Sequence, residues 1–294
     1  MSRFAKLFAA TTSAILMIGG LSACSAEAGE DTVKIGVVGA SDPAWEIYER
    51  AARDAGIPVE IVDFGEYTQP NPAVTAGDVD INQFQHLVYL AKYNVDSGTD
   101  LQPIGSTAIY PLGLYSKEYG SVEGIPQGAK IGVPNDTTNQ ARGLLVLQSA
   151  GLITLRGGGD AFSTTDDIDP AASRVEVVTI DADKMGQSLP DLAGAIINND
   201  FIEQAGFQAS DAIAQDEPAD ASARPYVNVF ATTADKKDDP RYQQLVEIYQ
   251  NTQEVLDAVQ EKSGGTAEFT IVPPAELQET LATVEADYRS VSGE

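Results

Sequence analysis

The sequence predicts an α/β protein of two lobes, and three observations carry that reading. Strand-like and helix-like segments alternate along most of the chain, the order expected of βαβ units and mostly parallel sheets. The 294 residues suffice for two units of roughly 100–200 residues. No position reads as a linker between independent domains, which favours lobes that share chain crossings.

The elements follow in order. Val33 to Val38 is a short β-branched run fit for a buried strand. Gly39 breaks it, and Asp42-Pro43 then reads as an N-cap with Pro at the first helical position. Trp45, Tyr48, Ala52 and Ala55 recur at helical spacing, and Gly56 ends that helix. Val59 to Phe64 and Val79 to Phe84 are the next strands, and His86 to Val95 a helix. Ile104 to Tyr115 is apolar and predicts one long strand or two with a bend at Pro111. Lys130 to Val133 is a strand followed by a helix through Leu147. Residues 156–173 are rich in Gly and Asp and read as loop. Val175 to Ile180, Ala193 to Ile197 and Tyr226 to Thr232 are strands, with an acidic, Ala-rich surface loop over 215–224. Leu245, Ile248, Tyr249, Thr252, Val255, Leu256 and Val259 share one face of a single long helix from about Asp239 to Glu261. Pro274 to Tyr288 is a last helix. The lobes are expected to divide as 32–112 with 229–294, and 113–228.

The first residues read as an address. Arg3 and Lys6 precede an apolar stretch from about Leu7 to Leu21, so residues 1–23 are expected to be a secretory signal. The stretch is short for a spanning helix. It ends in Leu21-Ser22-Ala23-Cys24, which resembles the bacterial lipobox, whose Cys becomes the lipid-bearing N-terminus. Residues 24–31 would be a polar tether, and the mature protein would be lipid-anchored through Cys24 on the extracytoplasmic face of the cell membrane.

Composition excludes several functions. With 18 basic against 44 acidic side chains, a formal charge of −26, the surface repels phosphate backbones, so nucleic acid is no partner. One Cys excludes a disulfide framework and a Cys-based zinc cluster, and one His excludes a multi-His metal site. Gly157-Gly158-Gly159 lacks the Lys and Ser/Thr of a phosphate loop, and the Asp cluster at 166–169 lacks EF-hand spacing. No cofactor, metal or catalytic residue is expected.

Four segments carry recognition chemistry. Arg142 sits in the early turns of a helix opened by Pro134-Asn135-Asp136-Thr137-Thr138-Asn139. A cation there opposes the helix dipole unless an anion sits nearby; it binds a ligand carboxylate or pairs with a surface acid. Tyr67, Phe84, His86 and Tyr89 gather after a strand end, as a pocket for an apolar or thioether side chain or as ordinary core. Asn198 and Asn228 lie at or within hydrophobic strands, where an amide needs a partner. A ligand's ammonium and carboxylate would supply one, and a turn would supply another.

Taken together these segments resemble the NlpA/MetQ family of lipoproteins, over about residues 32 to 262. Tyr67 to Asn71, Phe84 to Leu90 and Pro134 to Arg142 match its Tyr-x-Gln-Pro-Asn, Phe-Gln-His-x-x-Tyr-Leu and Pro-Asn-Asp-x-Thr-Asn-x-x-Arg stretches. The resemblance implies a periplasmic-binding-protein fold with a ligand cleft between two α/β lobes and hinge crossings. It implies an amino-acid receptor, for L-methionine or a similar amino acid, that serves an ABC permease with its ATPase. Arg142 would bind the α-carboxylate, Asn198 and Asn228 the α-carboxylate and ammonium, and Tyr67, Phe84, His86 and Tyr89 the side chain. Asn199-Asp200-Phe201 and Arg224 depart from the pattern, and the tail beyond 262 has no match in it. Alternatives are a receptor for another small amino acid or a dipeptide, an extracellular enzyme using His86, and an adhesin-like interaction protein.

Overall fold

The computed structural model describes residues 32–292, so the signal segment, Cys24 and the 24–31 tether lie outside the described residues. Strand β1 (Val33–Val38) leads through helix α1 (Pro43–Asp54) to β2 (Val59–Phe64), and α2 (Pro70–Ala76) leads to β3 (Ile81–His86). Helix α3 (Leu87–Ser97) and strand β4 (Leu101–Ser106) complete this half, and β5 (Ala108–Ile109) starts the passage to the second. There β6 (Gly113–Tyr115), β7 (Lys130–Pro134), α4 (Thr137–Ser149), β8 (Glu176–Ile180), α5 (Met185–Ser188), β9 (Gly194–Ile197) and β10 (Ala214–Gln215) follow. The chain returns to β11 (Asn228–Thr233), then α6 (Pro240–Asn251), α7 (Gln253–Lys262), β12 (Glu268–Phe269) and α8 (Pro274–Ser292).

Two five-stranded sheets result, ordered β2-β1-β3-β11-β4 and β10-β6-β9-β7-β8. In each, four strands run one way and one runs against them: β11 in the first and β6 in the second. The reversed strand is the one the chain enters on crossing from the other sheet. It starts at the cleft, where the neighbouring strands β3 and β9 end, so it can only run back. The fold is thus the expected α/β architecture of two lobes with two crossings, one at 107–112 and one at 216–227.

Local chemistry explains the elements. Asp42 caps α1 by accepting from Ala44 N–H at 2.9 Å, with Pro43 in the first turn. The helix buries Trp45, Tyr48 and Ala52, while Ala55 falls outside it and is exposed. Tyr48 packs edge-on to Tyr249 at 5.6 Å and donates to the Leu245 carbonyl at 3.1 Å, which ties α1 to α6.

Several expectations shift. The third strand lies two residues later than read, so that His86 ends it and caps α3. The apolar run 104–115 is three strands, not one or two, because the crossing interrupts it. Helix α2 was not foreseen: Pro70 sits in its first turn, and Gly77 ends it at φ 80°. Tyr226 is not in a strand but ends a short 3-10 helix, Ala221–Tyr226, within the return crossing. The single long helix over 239–261 is two helices. Thr252 stands between them in extended conformation (φ −84°, ψ 105°), and the break turns Val255 and Val259 into the core of Trp45 and Tyr48.

Gly105 shows how tightly the sheet is covered. A Cβ there would overlap the Val246 side chain of α6. Gly105→Ala is expected to lower stability by about 1–3 kcal/mol, read as an earlier urea midpoint. An unchanged midpoint would contradict this packing.

Candidate functional site

The site forms where strand ends of both sheets meet the two crossings. All six residues of β3 are buried, although Asn82, Gln83, Gln85 and His86 are polar. An amide network satisfies part of this set. Asn71 of α2 donates to Gln85 Oε1 at 2.7 Å, and Asn82 and Gln85 donate back to Asn71 Oδ1 at 2.8 and 2.6 Å. A closed network of this kind holds a strand in one register, because every displaced amide would lose its partner.

His86 is held at both ring nitrogens. Its Nδ1 accepts from Tyr89 N–H at 3.1 Å as the cap of α3. The proton therefore sits on Nε2, which donates to Asn139 Oδ1 at 3.2 Å. Burial, and then the nearby Arg142 charge, lower its pKa from 6.5 to about 3. A neutral imidazole with both nitrogens engaged makes a poor acid or base, and this removes the observation that would support an enzyme using His86. The ring stands at 5.1 Å from Tyr226.

Arg142 is buried, with 6% of its surface exposed, inside α4. Its Nε pairs with Asp216 Oδ2 at 2.5 Å, and its Nη2 donates to the Tyr110 carbonyl at 2.7 Å. The guanidinium lies 4.5 Å over the Tyr226 ring. Asp216 Oδ1 in turn accepts from Leu112 N–H at 2.8 Å. Of the two readings of Arg142, the structure contains an acidic partner, a half-buried one that belongs to a crossing. One side of the fork is thereby fixed, and Arg142 lines the cleft pocket.

All seven expected ligand residues come together there. Tyr67, Phe84, His86, Tyr89, Arg142, Asn198 and Asn228 line one pocket. Tyr67, Phe84 and Tyr89 form its aromatic wall, with centroids 5.6–6.3 Å apart. Asn198 follows β9, and Asn228 opens β11 beside His86. Asn198 Oδ1 and the Tyr226 hydroxyl are buried with no hydrogen-bond partner among the described residues. Each such atom costs about 1–3 kcal/mol unless a ligand or water satisfies it.

The pocket is narrow, about 20 Å3, and adjoins a chamber of about 250 Å3 that shares Phe84, Tyr110 and Asn228. The smaller space has the guanidinium and the orphaned atoms, so the chemistry points to it despite its size. By itself it has room for about one water, and it is continuous with the chamber. Asp200 faces the chamber. It accepts from the Tyr67 hydroxyl at 2.7 Å and from Asn199 Nδ2 at 2.9 Å, and burial pushes its pKa up to about 6.

Sequence reasoning gave no role to Asn139, Tyr110, Tyr226 or Asp216. Asn139 lay inside a quoted segment. Asp216 lay in an acidic loop, where nothing singled it out.

The chain is similar to proteins of one family. The model of the NlpA lipoprotein family matches residues 33–270. The chain is 35% identical over 267 residues to the D-methionine-binding lipoprotein MetQ of Escherichia coli K12, covering 89% of this chain and 97% of that protein. Among solved structures, protein PG110 from Staphylococcus aureus superposes with a TM-score of 0.81 at 32% identity, over 86% of this chain and 99% of that one. A nutrient-binding protein from Burkholderia cenocepacia bound to methionine gives 0.75 at 34% identity, over 81% and 99%.

The His86 geometry predicts a pH signature. The folded pKa lies below the unfolded one, so protons bind the unfolded chain first as pH falls. Stability is therefore lost below about pH 6.5, by up to about 1.4 kcal/mol per unit, down to about pH 3. Asp200 has the opposite sign: its folded pKa is raised, so its contribution is present in acid and lost as pH rises through about 6. The imidazole NMR signals of the single His should not titrate between pH 8 and 5. A midpoint near 6.5 would contradict the buried, neutral ring.

Proposed function

This chain belongs to the NlpA lipoprotein family, and from that premise we propose that it is the substrate-binding protein of an ABC importer and captures methionine. The observation that carries the reading is convergence on one pocket: a clamped guanidinium, a buried acceptor at Asn198 with no partner among the described residues, and an aromatic wall. The free end of the Arg142 fork receives the α-carboxylate. Asn198 Oδ1, an acceptor only, takes the α-ammonium, with the Asn228 amide beside it. The thioether lies against Tyr67, Phe84, His86 and Tyr89. Relatives are named for D-methionine, so both stereoisomers are candidates.

Capture needs no chemistry on the ligand. Residues 32–112 with 229–294 form one lobe and 113–228 the other. Tyr67–Asp200 and His86–Asn139 bridge the cleft. A ligand favours closure only through contacts that it makes better in the closed state. Those are the contacts of Arg142 and Asn198, on elements that follow β7 and β9, together with the aromatic wall of the first lobe. Delivery then requires a permease and its ATPase. Lipid on Cys24 would hold the receptor at the outer face of the membrane. The adjoining chamber favours a second reading, a dipeptide whose extra residue extends into it.

A thermal melt of the refolded, ligand-stripped protein tests this against L-methionine, D-methionine and methionine-containing dipeptides. A ligand at about 100 times its dissociation constant adds about 2.7 kcal/mol. The expected outcome is a clear upward shift with one or both methionines, abolished in Arg142→Ala. A shift with dipeptides alone would favour the second reading, and no shift with any of them would overturn the receptor assignment.

A further inference from the structure

The family match stops at residue 270, yet α8 continues to Ser292. Its first half is rooted in the first lobe. Leu277 and Leu281 are buried beside Leu87, Leu90 and Leu101, and Gln278 Nε2 donates to the Pro103 carbonyl at 3.2 Å. Asn94 of α3 donates to Glu285 at 2.9 Å. One turn further, the Tyr288 ring lies under the Lys92 ammonium, 5.4 Å away, and meets Phe162 at a centroid distance of 5.6 Å with the planes at 45°.

Phe162 belongs to the other lobe. It sits in the loop after α4, and that loop is tied down from within and from below. Gln148 of α4 donates to the Gly158 carbonyl at 2.7 Å. The Arg156 guanidinium binds the carbonyls of Asp166 and Ile168. Asp160 N–H donates to Ser163 Oγ at 2.8 Å, and Thr164 N–H to Asp167 at 2.7 Å. The Phe162 ring is thus presented in a fixed place. The ring pair joins the two lobes without using any residue of the ligand pocket.

We propose that α8 is a strap across one side of the cleft, and that Tyr288 and Phe162 are positioning residues that slow ligand release by holding the lobes closed. This rests on the reading that the ligand is trapped by closure. The pair forms when the lobes are together and is lost when they part. Its energy therefore adds to the closed state whatever the ligand is, and it acts on the dissociation rate.

Stopped-flow release of methionine from the whole chain tests it in wild type, Phe162→Ala, Tyr288→Ala, the double variant and Tyr288→Phe. Release should speed up about two- to tenfold in each single alanine variant, the range for one aromatic pair. The double variant should release no faster than the singles, because both remove the same contact. Tyr288→Phe should behave as wild type. Wild-type release rates in the single variants, or additive effects in the double, would overturn the strap. If wild type binds no methionine, the functional reading fails on its own. The strap is then judged by the distance between spin labels on the two lobes. A longer distance in Tyr288→Ala supports it, and an unchanged one overturns it.

Discussion

The buried guanidinium of Arg142 is the interaction on which the rest of the structure depends. A cation removed from water is costly unless its donors are matched. Here Asp216, from the return crossing, and the Tyr110 carbonyl, from the outgoing one, match one side of the fork. Tyr226, also on the return crossing, covers its face. One side chain of the second lobe therefore ties together the two chain segments that connect the lobes. The Arg142–Asp216 pair is already neutral, and a zwitterionic amino acid leaves it so.

The opposite wall depends on a different constraint. The aromatic side chains can line a pocket only if β3 keeps its register, and β3 is polar at four of six positions. The Asn71–Asn82–Gln85 network fixes that register, and His86 fixes the start of α3. Slippage of one residue would move Phe84 and His86 to the opposite faces of the sheet. The aromatic wall and the cap of α3 are thus two results of one set of hydrogen bonds.

Much of this was legible in the residues. Alternating segments predicted the α/β lobes, and the Phe84–Leu90 and Pro134–Arg142 stretches led to the pocket residues. What escaped has physical reasons. The break at Thr252 is invisible to periodicity, because the apolar positions keep helical spacing across it. Helix α2 opens Pro-Asn-Pro, which reads as turn. Asp216 is one of 44 acidic residues and differs from the others only in the buried cation that it meets. The 274–288 helix was foreseen, but its partner Phe162 lay in a Gly- and Asp-rich loop that offers no pattern.

The central claim is that the clamped Arg142 recognises the ligand's carboxylate. Calorimetric titration of the ligand-stripped protein with methionine and with methioninol, which keeps the ammonium and thioether but has no carboxylate, tests it most directly. Loss of a charge-assisted contact predicts that methioninol binds about 10- to 100-fold more weakly. Equal affinity for the two would contradict the account.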